Sequence, residues 1–194
     1  MDYEVMEHKG AMPTQNMNFD KINQGTIAVE SSRAIAEAQG KLIMAKKFPR
    51  SYTYAYAKAI EACQRKSFAD KAFFSYPRGG QTVTGVTIRF AEEMARCYGN
   101  LDYGIKEMSH EEGKSEMQAY CWDLETNTIS SQNFTVEHIR ESGGRSTKLT
   151  SQRDIYERTA NDGARRLRSR ILAILPPDLV HIFTKDFCVT FYHN

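Results

Sequence analysis

Apolar and polar positions alternate along the chain with two different periods. From Ile27 the apolar positions Ile27, Ala34, Ile35, Ala38, Leu42 and Ala45 keep helical spacing until Pro49 stops the run. Lys46, Lys47 and Arg50 follow, where cations suit the C-terminal end of a helix dipole. In the next stretch, SYTYAYAKAIEACQR, the tyrosines alternate as in a strand, but the alanines and the Tyr56, Ile60, Cys63 spacing predict a helix. KAFFSYPRGGQTVTG holds two short β-prone pieces around Pro77 and a Gly79-Gly80 turn. VTIRFAEEMARCYGN predicts a short helix with Ile88, Ala91, Met94 and Ala95 on one face and Gly99 just past its end.

Three strand-like segments come next: LDYGIKEMS, SEMQAYCWDLE and TISSQNFTV. The links between them, HEEGK and TN, are short enough to predict antiparallel hairpins. In the middle segment Met117, Ala119 and Cys121 alternate with Gln118, Tyr120 and Trp122, so one face belongs to a core and the other carries aromatics. HIRESGGRSTKL reads as a glycine-containing basic loop. A long helix then runs from about Ser151 to Leu175, with Thr150 or Ser151 as its N-cap and Pro176 and Pro177 ending it. The order predicts an α+β fold in which helices and a three-stranded antiparallel meander pack on a long basic helix.

Composition narrows the class. At 194 residues the chain suits one domain, and 41% hydrophobic with 26% charged residues is globular usage. The domain is expected over residues 26–178, after a flexible or docking arm at 1–25 and before a C-terminal segment at 179–194. No apolar run approaches the about 18 residues of a membrane span, and MDYEVMEHKG does not read as a secretory signal. The four cysteines, Cys63, Cys97, Cys121 and Cys188, stand far apart with no histidine at ligand spacing. They read as buried reduced thiols of a cytosolic protein rather than a disulfide or zinc framework.

Charge adds a local feature. The chain is only +2 overall, yet from Arg140 to Arg170 nine bases (Arg140, Arg145, Lys148, Arg153, Arg158, Arg165, Arg166, Arg168, Arg170) face four acids (Glu141, Asp154, Glu157, Asp162). A confined positive field predicts an anionic partner at one place. On the long helix, Ala160, Ala164, Leu167, Ile171 and Ile174 form an apolar stripe at about 100° per residue. Arg158, Asp162, Arg165 and Ser169 fall opposite it, with Arg166 and Arg170 on one flank and Arg168 on the other. Such a face is either solvated or a phosphate grip. NDGARRLRSRIL has four arginines and no lysine, which favours the grip, because the guanidinium fork suits bidentate phosphate contact and base stacking. Arg78, beside the glycine turn, joins the candidate cations, and Tyr103, Tyr120 and Trp122 are candidate base-stacking faces.

Bond-making chemistry has little support. There is no G-x-x-x-x-G-K-S/T, H-E-x-x-H or G-x-S-x-G pattern, and the five histidines are scattered. Asp102, Glu116 and Asp123 are the acids that a metal-dependent nuclease would require, and that reading stays as an alternative, beside a non-enzymatic structural or regulatory protein. A binding function without cofactor or metal is the expectation.

The run TVTGVTIRFAEEMARCYGNLDYGIKE, the hairpins after it and RTANDGARRLRSRIL resemble the single-strand annealing proteins of bacteriophages, and more distantly the Rad fifty-two annealing family. That family has a helix of the xGxxVIxxANExFG kind, matched here by Gly85, Ile88, Ala91, Glu92 and Gly99. Its meander leads to a helix with an Asp-Gly-x-basic-basic core, matched by Asp162, Gly163, Arg165 and Arg166. A third basic family position falls on Ser169. Phage proteins with phrases like SYPRGG, WDLETNT and FTVEHIR are closer still. The resemblance spans about residues 80–175. It implies a β-β-β-α core and ATP-independent binding of single-stranded DNA. It also implies pairing of complementary strands by a ring or filament of identical chains in the cytoplasm of a bacterial host. The implied partners are a phage exonuclease and a host single-strand-binding protein, and Arg165 and Arg166 take the family's basic positions.

Overall fold

The computed structural model describes residues 24–142 and 144–182. Residues 1–23 of the expected arm, Cys188 and most of the C-terminal segment lie outside them, and the last two residues of that arm, Gln24 and Gly25, open helix α1. Contacts divide the chain into two units, one ending at Gly40 and one from Lys41 onward. Helix α1 spans Gln24–Lys47. Of its apolar stripe Ala45 is buried, whereas Ile27 and Ile35 are exposed.

Helix α2, Tyr52–Cys63, starts at Ser51, whose hydroxyl accepts from the Tyr54 N–H at 3.4 Å. It buries Ala55, Ala59, Ala62 and Cys63, a small-residue face that lets α4 approach closely. A short helix α3, Lys66–Ala72, follows and has no counterpart in the sequence reading. Strands β1 (Phe73–Arg78) and β2 (Gln81–Val86) form a hairpin, with Gly79 and Gly80 both at positive φ. That is the conformation a two-residue hairpin turn demands. Helix α4, Ile88–Tyr98, is capped by the Thr87 hydroxyl, which accepts from Phe90 N–H at 3.3 Å, and stops at Gly99 with φ +82°. Phe90 and Met94 of α4 are fully buried, with Phe90 against Phe68 and Phe73.

The meander is present as expected: β3 (Leu101–Glu111), β4 (Lys114–Asp123) and β5 (Thr128–Glu137) form an antiparallel sheet in that order. Ser115, Met117, Ala119, Cys121 and Asp123 of β4 are buried, and Glu116, Gln118, Tyr120 and Trp122 are half-buried on the opposite face. Arg50, nearly buried, pairs with Asp123 and Glu125 and so ties the chain before α2 to the β4–β5 turn.

The basic loop is corrected. Strands β6 (Ile139–Ser142) and β7 (Arg145–Lys148) pair there as a further hairpin. Helix α5, Gln152–Ile174, lies across the buried face of the sheet and against α4. Its buried row is Ile155, Thr159, Gly163, Leu167 and Ile171, a strict four-residue spacing. Ala160, Ala164 and Ile174 only flank that row, half-buried, because the close approach of α5 to β3 is made at Gly163. Helix α6, Pro177–Ile182, adds the fully buried Leu179 to the same core.

Candidate nucleic-acid interface

The cations of α5 divide by helix face. On the outer face Asp162 stands between two arginines, 3.1 Å from Arg158 Nε and 3.8 Å from Arg165 Nη1. Arg153 sits 4.0 Å from Glu157. These are exposed pairs between flexible groups, each contributing roughly 0–1 kcal/mol, so a phosphate can replace the carboxylate at little cost. Arg165 has 75% of its side chain exposed.

The two flanks do different things. The exposed Arg166 lays its guanidinium over the Phe134 ring of β5, 5.8 Å from its centroid. Arg168 points the other way, donates from Nη1 to the Val86 carbonyl at 3.0 Å and lies over Phe74 at 5.5 Å. It fastens the β1–β2 hairpin to α5. Arg170 is half-buried, with Nε enclosed and unpartnered among the described residues.

Beside the first half of α5 the β6–β7 hairpin leaves a groove of about 530 Å³. Ile139, Arg140 and Leu149 line one wall, and Arg153, Asp154, Glu157, Arg158 and Asn161 line the other. The hairpin register puts Arg140 and Arg145 on one face and Lys148, opposite Ile139, on the other. All three are exposed, as is Arg78 at the end of β1. The ten candidate cations therefore do not make one track. Arg140, Arg153 and Arg158 share the groove, and Arg165 continues it along the outer face of α5. Arg166 is on another flank, and Arg78 stands on a different hairpin.

The aromatics also separate. Tyr103 pairs with Cys121 across β3 and β4 and so lies on the buried face, packed against the core. Burial and the neighbouring Glu92 hold its phenol above the usual tyrosine range. Tyr120 and Trp122 occupy the opposite face. Tyr120 lies over Gly104 and under the Lys106 ammonium, 4.7 Å from the ring centre, and the Trp122 indole donates to Asn127 at 3.0 Å. The expected platform of three stacking rings beside the basic helix is thus not formed.

The acids of the nuclease alternative do not converge. Asp102 accepts from Lys41 at 3.2 Å, Glu116 accepts from the Thr135 hydroxyl at 2.7 Å, and Asp123 is held by Arg50 from the buried face. Among the described residues no three His, Cys, Asp or Glu side chains are grouped to hold a metal ion. Burial raises the Cys97 thiol to about 11 and the Cys121 thiol to about 12, so neither is a nucleophile at neutral pH. No helix of the described residues is long and apolar enough to cross a membrane.

Sequence reasoning missed a network at the far end of the sheet. His138, buried after β5, meets the Ser115 hydroxyl at 2.8 Å, and that hydroxyl lies 3.3 Å from His110 Nδ1, itself 2.8 Å from Glu107. His138 also binds Gly113 and Leu149 through its backbone and so forms the root of the β6–β7 hairpin. Burial and the adjacent His110 hold His138 below the usual histidine value. No family model, curated protein or solved structure matches the chain.

Proposed function

We propose that this chain binds single-stranded DNA through the outer face of α5 and the β6–β7 hairpin, and that an oligomer of it pairs complementary strands without ATP. The observation that carries the reading is the groove in which Arg140, Arg153 and Arg158 meet, continued by Arg165. Arg153, Arg158 and Arg165 are held only by surface pairs with Glu157 and Asp162, which a phosphate backbone can displace. Such contacts carry no base information, which is what pairing of arbitrary complementary strands requires. The pairing activity and the oligomer rest on the family resemblance of residues 80–175. An exonuclease that supplies single strands and a host single-strand-binding protein are the partners it calls for.

Neutralising phosphates lowers the repulsion between two strands, and a backbone grip leaves bases free to test register. The test is oligonucleotide binding by the Arg158→Ala, Arg165→Ala double variant across a salt series in the presence of EDTA. Weaker binding is expected, with a salt slope smaller by about 1.4 for two lost contacts to single-stranded DNA. An unchanged affinity and slope would overturn the assignment.

A further inference from the structure

A second cationic groove lies outside α5. Arg65, Ser67, Phe68 and Lys71 form one wall, Arg89, Glu92, Glu93 and Arg96 of α4 form the other, and Tyr103 of β3 closes it. It encloses about 540 Å³ and adjoins a smaller hollow of about 200 Å³, where Lys58 and Glu61 meet Arg65 and Arg96. At its centre Glu93, with 14% of its side chain exposed, pairs with both Arg65 and Arg96. One carboxylate thus holds two guanidiniums in place. Each guanidinium has five N–H donors, so most of them stay free for a ligand. Arg89, 71% exposed, leans on Glu92 at 3.3 Å. The groove carries three arginines and a lysine against two glutamates, while the α5 groove carries three arginines against two acids. It also has what the α5 groove lacks, an aromatic ring in its wall.

We infer that this groove between α3 and α4 is a separate binding site for single-stranded nucleic acid, with phosphates on Arg65, Arg96, Arg89 and Lys71 and a base against Tyr103. Fixed guanidiniums lose little freedom when a phosphate arrives, and an aromatic wall accepts any base. The volume suits a ligand of nucleotide size. An acidic protein segment would use the charges but not the ring. The inference rests on the reading of the chain as a single-strand binder.

The experiment uses the full chain with a labelled poly-dT oligonucleotide, salt titration and ultraviolet crosslinking. Three variants are compared with wild type: Lys71→Glu with Arg89→Glu, Tyr103→Leu, and Tyr103→Phe. The charge reversal is expected to weaken binding at least about tenfold and to lower the salt slope by about 1.4. Crosslinks are expected on the peptide containing Tyr103, lost in Tyr103→Leu and kept in Tyr103→Phe. Should the reversal be too unstable to assay, Lys71→Ala with Arg89→Ala reads the same slope. Unchanged affinity in these charge variants, while Arg158→Ala with Arg165→Ala still weakens binding, would overturn this groove alone. The opposite pattern keeps the groove and removes the α5 assignment. Wild type that binds no oligonucleotide overturns both. Poly-glutamate competing as well as poly-dT of equal charge would overturn the nucleic-acid assignment in favour of an acidic protein segment.

Discussion

A Cβ on Gly163 would stand 2.7 Å from Ile105 Cδ1 and 3.1 Å from its Cγ2, closer than packed carbon atoms allow. The glycine of the Asp-Gly-x-Arg-Arg core therefore lets α5 settle on β3, and in doing so sets the height at which Asp162, Arg158 and Arg165 stand above the sheet. Gly163→Ala gains about 1 kcal/mol of helix propensity but costs about 1–3 kcal/mol of overpacking, so a net loss of about 1 kcal/mol is expected in denaturant unfolding. Adding Ile105→Val should recover part of it, and purely additive effects would show that the contact is not the cause. Gly85 works similarly: a Cβ there would meet the Phe74 ring at 2.6 Å, and Arg168 covers that ring from α5. Both glycines are visible in the sequence as motif positions, but their reasons are side chains far away in the chain. Arg168 shows the same limit. Four arginines in six positions look alike until the β1–β2 hairpin arrives beside one of them.

Elements with a long and regular period were legible: α2, α4, α5 and the meander follow from spacing, caps and turns. Helix α3 was not, because seven mostly polar residues offer no period to read. The β6–β7 hairpin was not, because its four-residue strands are exposed and carry no alternation of apolar residues. Its root at His138 gives it a pH dependence. The unfolded histidine titrates near 6.5, while burial and His110 lower the folded value and Glu107 opposes them. Between the two values the unfolded chain holds more protons, so the stabilising difference is complete above about 6.5 and declines as pH falls below it. Glu107, lowered through Ser115 and His110, adds a separate loss below its own usual value of 4.5. Thermal unfolding followed against pH should show the higher step in wild type. In His138→Gln, which still offers Ser115 a partner, that step should vanish, and a wild-type profile flat through it would refute the assignment.

For the molecule, charge was legible in the sequence as an amount and not as a position. The excess of bases between Arg140 and Arg170 could be counted, but the sheet decides which of them meet, and it places Tyr103 and Trp122 on opposite faces. The cations of the α3–α4 groove are hidden in a linear count, because Asp70 precedes Lys71 and Glu92 and Glu93 stand between Arg89 and Arg96. At the level of assembly, sedimentation with and without poly-dT should give, once the mass of the oligonucleotide is subtracted, protein masses of two or more times 22.2 kDa. A monomer in both conditions would contradict the pairing mechanism, which needs several chains on one strand. The split of the sheet faces has a practical side. Trp122 is the single tryptophan, its indole is engaged by Asn127, it lines neither groove, and it stands on the face of the sheet opposite the one that α5 covers. Its fluorescence is thus insulated from strands lying in the grooves and sensitive to whatever comes to cover the open sheet, so one native chromophore can tell association of chains apart from capture of DNA.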